Sequence, residues 1–352
     1  MLDPEQLYSL EPRWTDRRLG QRAHAAAPST SDQTLPDGPV LLHALTGFID
    51  AGSVTRIVGD HLLEHLPHEL VATFDADQLV DYRSRRPAMV FEQDHYSSYQ
   101  APRLELHELV DRQGVPFFLL AGPEPDVQWE RFAVAVRQLV EHLGVSRTVA
   151  VHAIPMAVPH TRPLGIITHG TRPDLAAPVD GLPPMGHFPT VQVPGSAAAM
   201  LELRLGEWGH DAQGFVVQVP HYLADTPYPG AAALLIDQLA MSAGLDLPTT
   251  ALLTAAEETR QAIAEHVAGS DEVARVVHAL EQQYDAYVGA RGRTALLSST
   301  DVPLPSADEL GAEVERFLAN HTGNDADAAT GADDSDDSDG DGGNDRGAPT
   351  DR

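Results

Sequence analysis

The chain has 352 residues, 42% of them hydrophobic, which is enough for one large domain or two smaller ones, and its formal charge is −29. All 23 basic residues are arginine and cysteine is absent. A P-loop lysine, a Schiff-base lysine and a pyridoxal-phosphate anchor are thereby excluded, as are a disulfide, a thiolate nucleophile, a zinc ribbon and an iron–sulfur cluster. The first twenty residues carry Asp3, Glu5, Glu11 and Asp16 among few apolar positions, unlike a signal peptide, and no run of eighteen apolar residues occurs. A cytoplasmic protein is expected, with no membrane partner. The negative charge repels phosphate backbones, so nucleic acid is not an expected partner either. Thr322 to Arg352 holds ten Asp and two Arg, a contribution of −8 that leaves −21 on the rest of the chain.

Residues 1–37 are polar and punctuated by Pro4, Pro12, Pro28 and Pro36, and read as an arm plus linker whose order would require docking. Val40 to Leu45 is a short apolar run bounded by Pro39 and Gly47, a buried strand. A turn over Gly47–Ser53 then opens into a helix predicted over about Val54 to Leu66. Further strands are predicted at Leu70–Phe74, Ala88–Phe91, Leu104–His107 and Pro116–Leu120, the last of them central. Phe132, Val136, Leu139, Val140 and Leu143 fall on one face of a helix over 127–143, with Gly144 as its stop.

Val149–Ile154, Gly165–Thr168 and Thr190–Val193 are the next predicted strands, followed by a helix from Ala197 to about Trp208, a strand over Gly214–Val219 and a helix over about Ala231–Ser242. Strands alternating with helices argue for a mostly parallel sheet covered on both faces, a three-layer α/β/α sandwich. After Pro248 the pattern is helical only, across 249–268, 271–289 and 307–320. Beyond Asn320 there is no Leu, Ile, Val or aromatic residue, so disorder is expected. The organisation expected is an arm over 1–37, an α/β core over 38–246, a helical region over 247–321 and an acidic tail over 322–352.

Three motifs have a plainer reading. His61-Leu62-Leu63-Glu64-His65 matches the H-x-x-E-H zinc helix, but no third ligand is identifiable and a solvated helix face is favoured. Asp337, Asp339 and Asp341 before Gly342 start a calcium loop whose twelfth position, Ala348, cannot ligate. Ser196 follows a predicted strand and opens a helix, where an N-cap is favoured over a nucleophile or anion site. No metal or cofactor is expected from these patterns.

The richest polar loop is Pro155–Pro163, directly after a predicted central strand, and open sheets bind ligands at such carboxyl ends. In this topology the loop lies near Asp50, the Glu124 and Asp126 turn, and His221. Arg162 with His160 could hold an anion and Asp50 could accept from a hydroxyl. A rigid, proline-pinned loop used for packing or subunit contact explains the same residues.

Several stretches together carry a resemblance: Gly47-Phe48-Ile49-Asp50-Ala51-Gly52, Asp81-Tyr82-Arg83-Ser84-Arg85-Arg86-Pro87, Gly122-Pro123-Glu124-Pro125-Asp126, Pro155 to Pro163, and Val219-Pro220-His221-Tyr222. From about residue 38 to 320 the chain resembles the actinobacterial branch of the proteasome assembly chaperone family. The resemblance implies a fold similar to purine nucleoside phosphorylase, here carrying the C-terminal helical extension read above, a homo-oligomer, and protein binding, with proteasome core subunits as the implied partner, rather than catalysis. Archaeal relatives bind the proteasome through a C-terminal hydrophobic-Tyr-X tripeptide, which Thr350-Asp351-Arg352 does not match, so that route is not expected here. The alternative is a nucleotide- or nucleoside-binding protein, or an ATP-dependent carboxylate–amine ligase, using the strand-end pocket. Such ligases commonly place lysines on the ATP phosphates, and this chain has none.

Overall fold

In a computed structural model of the chain, the residues described are 2–15, 37–47, 49–179 and 190–296. A 3-10 turn at Pro4–Leu7 leads into β1 (Tyr8–Leu10) and one helical turn, α1 (Pro12–Thr15). There follow β2 (Val40–Thr46), α2 (Val54–His65), β3 (His68–Phe74), α3 (Ala76–Leu79), β4 (Met89–Glu92), β5 (His95–Tyr99), β6 (Leu104–Val110) and β7 (Pro116–Pro123). The second half comprises α4 (Trp129–Leu143), β8 (Arg147–Met156), β9 (Ile166–Gly170), α5 (Ala197–Glu207), β10 (Ala212–Pro220), α6 (Pro229–Ala243), α7 (Thr250–Ala268) and α8 (Asp271–Leu296). All of these but Leu296 fall in one unit, Met1–Ala295.

Eight strands form one sheet in the order β1-β3-β6-β7-β2-β8-β10-β9, with β7 central as its unbroken apolar run predicts. The four inner strands β7, β2, β8 and β10 are parallel, while β6, β3 and β1 on one flank and β9 on the other are antiparallel. Parallelism is thus confined to the centre, where both faces are covered by helices. Alternation along each strand divides the core. Val149, Val151 and Ala153 of β8 face α2, α6 and the start of α7, through Val58, Leu62, Leu235, Ile236 and Leu252. The opposite face meets α4 and α5 through Phe132, Val136, Leu139, Leu201 and Leu205. This is a three-layer α/β/α sandwich with a C-terminal helical region. Gly144 ends α4 in the left-handed conformation at φ +66°, as a C-terminal glycine does.

The docking that order in the arm requires does take place. β1 pairs antiparallel with β3, and Leu7 and Trp14 are wholly buried in the α4-side core. Arg131 of α4 secures the segment, its Nε and Nη2 donating to the Asp3 carbonyl at 2.9 and 2.6 Å. Thr190–Val193, expected as a strand, is irregular, with Val191 60% and Val193 74% exposed. Alternating valines suit a strand, but nothing buries them here. The strand expected at Ala88–Phe91 forms β4, yet it pairs only with β5 in a separate hairpin off the main sheet. His61 is buried rather than solvated: its Nε2 bonds the Pro248 carbonyl at 2.8 Å and its ring stacks on His65 at 4.1 Å. Among the described residues no group of histidine and carboxylate side chains can hold a metal, and no helix is long and apolar enough to cross a membrane. The predicted helix over 307–320, the Asp337 motif and the acidic tail lie outside the described residues.

Candidate functional site

The carboxyl ends of the four parallel strands lie side by side, and each feeds a loop bearing residues singled out above. After β2 the chain turns through Gly52 and Ser53, both left-handed at φ +67° and +52°. This turn brings Asp50 back over the start of α2, where Oδ1 accepts from the Thr55 N–H at 2.7 Å and Oδ2 from the Arg56 N–H at 3.2 Å. Asp50 therefore satisfies orphan amides of its own helix. A side chain at residue 52 would meet Tyr228, 2.8 Å from its Cβ. Backbone bonds from Gly52 N–H to the Ala224 carbonyl and from Tyr228 N–H to the Gly52 carbonyl stitch this loop to the one after β10.

After β7, the buried Glu124 carboxylate accepts from the Ala197 N–H at the first turn of α5. Ser196 caps the same helix, its Oγ accepting from the Ala199 N–H at 3.0 Å, as the capping reading predicts. Asp126 accepts from the Asp81 N–H at 2.8 Å and from the Arg85 guanidinium. Arg85 also donates to the Thr46 carbonyl at 3.2 Å and the Glu124 carbonyl at 2.6 Å, clamping the ends of β2 and β7 together.

After β8, His160 is locked to Tyr222 of the β10 loop: its N–H donates to the Tyr222 hydroxyl at 2.8 Å, and that hydroxyl bonds His160 Nδ1 at 2.7 Å. Burial lowers the His160 pKa and raises that of Tyr222. His221 is exposed and meets the Tyr222 ring edge-on at 5.4 Å. Arg162 reaches α8, with Nε and Nη2 on the two Asp285 oxygens at 2.8 and 2.7 Å and Nη1 on Glu281 at 3.2 Å.

The structure thus brings Glu124, Asp126 and Ser196 together with Arg85, brings His160 to His221 through Tyr222, and places Arg162 on α8. The bonds found for these carboxylates and for Arg162 hold one element to another, which gives the loops a fixed shape. The Glu281 and Asp285 partners of Arg162 lie more than a hundred residues away, beyond any local pattern.

Histidines on the α5-facing side of the sheet are a second feature that motif reading passes over. His43, Ala150, Gly214 and His169 form one cross-strand row over β2, β8, β10 and β9. His169 leans over Gly214, where an added Cβ would lie 2.1 Å from its ring, and its Nδ1 meets Glu202 of α5 at 2.9 Å. His43 is buried with Nδ1 unpartnered, and desolvation, helped by His152 and His169, lowers its pKa to about 3. His152, two residues beyond Ala150, is lowered to about 4, again mainly by burial. Both lie inside apolar runs at positions whose alternation points them to this face.

The PAC2 family model matches residues 44–267. Among solved structures, a Mycobacterium tuberculosis protein of unknown function is 44% identical, with 83% of this chain and 92% of that one covered at a TM-score of 0.72. A Corynebacterium glutamicum protein of unknown function is 39% identical, with coverage of 81% and 99% and a TM-score of 0.69. A Mycobacterium tuberculosis proteasome-assembly chaperone homologue shares the fold at 22% identity, with coverage of 68% and 99% and a TM-score of 0.59. No functionally curated protein matches.

Proposed function

Because this chain belongs to the PAC2 family, in its actinobacterial branch, we propose that it is a non-catalytic, chaperone-like protein that binds other proteins and works as a homo-oligomer. The observation that carries the reading is the β4–β5 hairpin. Every residue of its two strands is exposed, including Met89, Val90, Phe91, Tyr96 and Tyr99. Phe91 and Tyr96 pack edge-to-face at 5.0 Å, so their aromatic surface is presented as a unit. Contiguous exposed apolar surface of this kind marks interaction sites.

Light scattering on the full chain tests the oligomer: Phe91→Ser with Tyr96→Ser lowers the assembly mass to that of a monomer. An unchanged mass removes the hairpin from the interface. Proteasome core subunits are the protein partner proposed, since a fold relative is named a proteasome-assembly chaperone homologue. Capture of purified core particles by the immobilised chain tests that, and no capture above a blank resin rejects it. In this reading residues 38–246 are the working core and 247–321 a helical extension.

A nucleotide- or nucleoside-binding or ligase-like role has less support, because Asp50, Glu124, Asp126 and Arg162 are already engaged within the chain. A melting temperature raised by ATP or a nucleoside, with turnover abolished by Asp50→Asn, would reverse that order.

A further inference from the structure

The turn after β8 clasps acidic residues of α8. The loop after β8 is held by contacts independent of α8: Pro159 and Pro163 restrict it, and His160 is fastened to Tyr222 through two bonds that involve no residue of α8. From this frame the loop offers three groups in sequence. Thr161 Oγ1 donates to Glu281, the Arg162 fork takes both oxygens of Asp285 with a further bond to Glu281, and the Pro163 carbonyl accepts from the Tyr284 hydroxyl at 2.9 Å. A guanidinium held in that bidentate geometry selects a carboxylate by shape as well as by charge.

The helix side is equally specific. Glu281 and Asp285 are four residues apart on one face, a like-charge spacing that destabilises an isolated helix. Arg162 offsets it: contact with the loop holds both carboxyls below their ordinary pKa, and contact with Asp285 raises the Arg162 pKa. Over 271–289 only Val277 and Leu280 are buried, so the polar clasp is a large share of what seats α8. Bonds between partly exposed charges can exchange for chemically identical bonds to another chain and weaken with salt.

We propose that the 161–163 turn recognises an acidic helical segment of a protein partner, one presenting carboxylates at i and i+4 with tyrosine at i+3, and that α8 occupies the turn in cis until such a segment displaces it. The inference rests on the protein-binding reading and specifies the chemistry of the partner. A partner engaged this way binds in competition with α8, which sets a threshold on its affinity.

The test uses the full chain carrying Glu281→Gln and Asp285→Asn, with amide exchange over α8 as the measure of release and a fluorescent peptide of residues 269–290 as the probe. Expected are faster exchange over α8, peptide binding at least ten-fold tighter than to the unaltered chain, loss of that binding when Arg162→Gln is added, and about ten-fold weakening between 50 and 500 mM salt. Unchanged exchange over α8 overturns the inference, because the clasp then does not seat the helix. So does released α8 without peptide binding, or peptide binding that Arg162→Gln leaves intact. Circular dichroism on each variant separates misfolding from loss of the clasp, and Arg162→Lys, which keeps the charge without the fork, gives intermediate binding. Proteasome core capture is measured separately, so an intact capture beside a failed peptide assay removes this inference alone.

Discussion

The Glu124 carboxylate fills the space beside Gly47: a side chain at residue 47 would place its Cβ 1.8 Å from Glu124 Oε2 and 2.7 Å from Glu124 Cβ. The same carboxylate receives the Ala197 N–H, so the glycine after β2 makes room for the acid that anchors α5. Gly47→Ala is expected to displace Glu124 and cost about 1–3 kcal/mol, the range for overpacking. Glu124→Gln, which keeps the shape and loses the charge at the helix start, is expected to cost about 1 kcal/mol. Urea unfolding of the two variants checks both the size and the order of these effects.

Acid should weaken the fold through His43 and His152. Their folded pKa values, about 3 and about 4, lie below the ordinary 6.5. The unfolded chain therefore binds more protons below pH 6.5, and stability falls as pH drops from there toward 4, by up to about 1.4 kcal/mol per pH unit for each histidine. Unfolding free energies at pH 7, 6 and 5 for the natural chain and for His152→Asn isolate the contribution: the variant should show the shallower slope, and equal slopes refute it.

The N-terminal segment should behave as part of the core. Trp14→Ala is expected to cost about 3–5 kcal/mol. Arg131 is buried, and its guanidinium also reaches the Gln78 and Gln128 side-chain oxygens at 2.8 and 2.9 Å. Arg131→Met is expected to cost about 2–3 kcal/mol through the Asp3, Gln78 and Gln128 oxygens it leaves unpaired. Limited proteolysis should then cut within residues 2–15 at protease levels that spare the natural chain.

Arg85→Lys retains a positive charge but not the fork that spans Asp126 and two strand-end carbonyls. A loss of about 1 kcal/mol is expected, with faster amide exchange at the ends of β2 and β7. No change in either measurement would mean that Arg85 follows the strand ends instead of holding them.

How far the sequence carries the structure depends on how local each cause is. Val40–Leu45 and Val149–Ile154 read as buried strands because an apolar run between turn residues has few other uses, and α4 followed from five apolar residues and Gly144. The arm resisted the same reading because Leu7 and Trp14 find their pockets on elements more than fifty residues away. Thr190–Val193 and Ala88–Phe91 have the composition of sheet strands, yet composition does not say whether a neighbour is present to bury them. At the strand ends the residue types and their neighbourhood were readable, including Ser196 as a cap. The engagement of Asp50, Glu124 and Arg162 was not, because a carboxylate that caps a helix and one that awaits a ligand are the same letter. The resemblance supplied the family and left the bonding partners to the three-dimensional arrangement.

The docking of the first segment on α4 has a consequence for how the chain is made. Asp3, Leu7 and Trp14 leave the ribosome well before Arg131 and the α4 face that receive them, which follow more than a hundred residues later. At 5–20 residues per second, translation leaves the segment exposed for on the order of ten seconds. A segment made early is therefore buried late, and the Trp14 side chain stays in water throughout that interval.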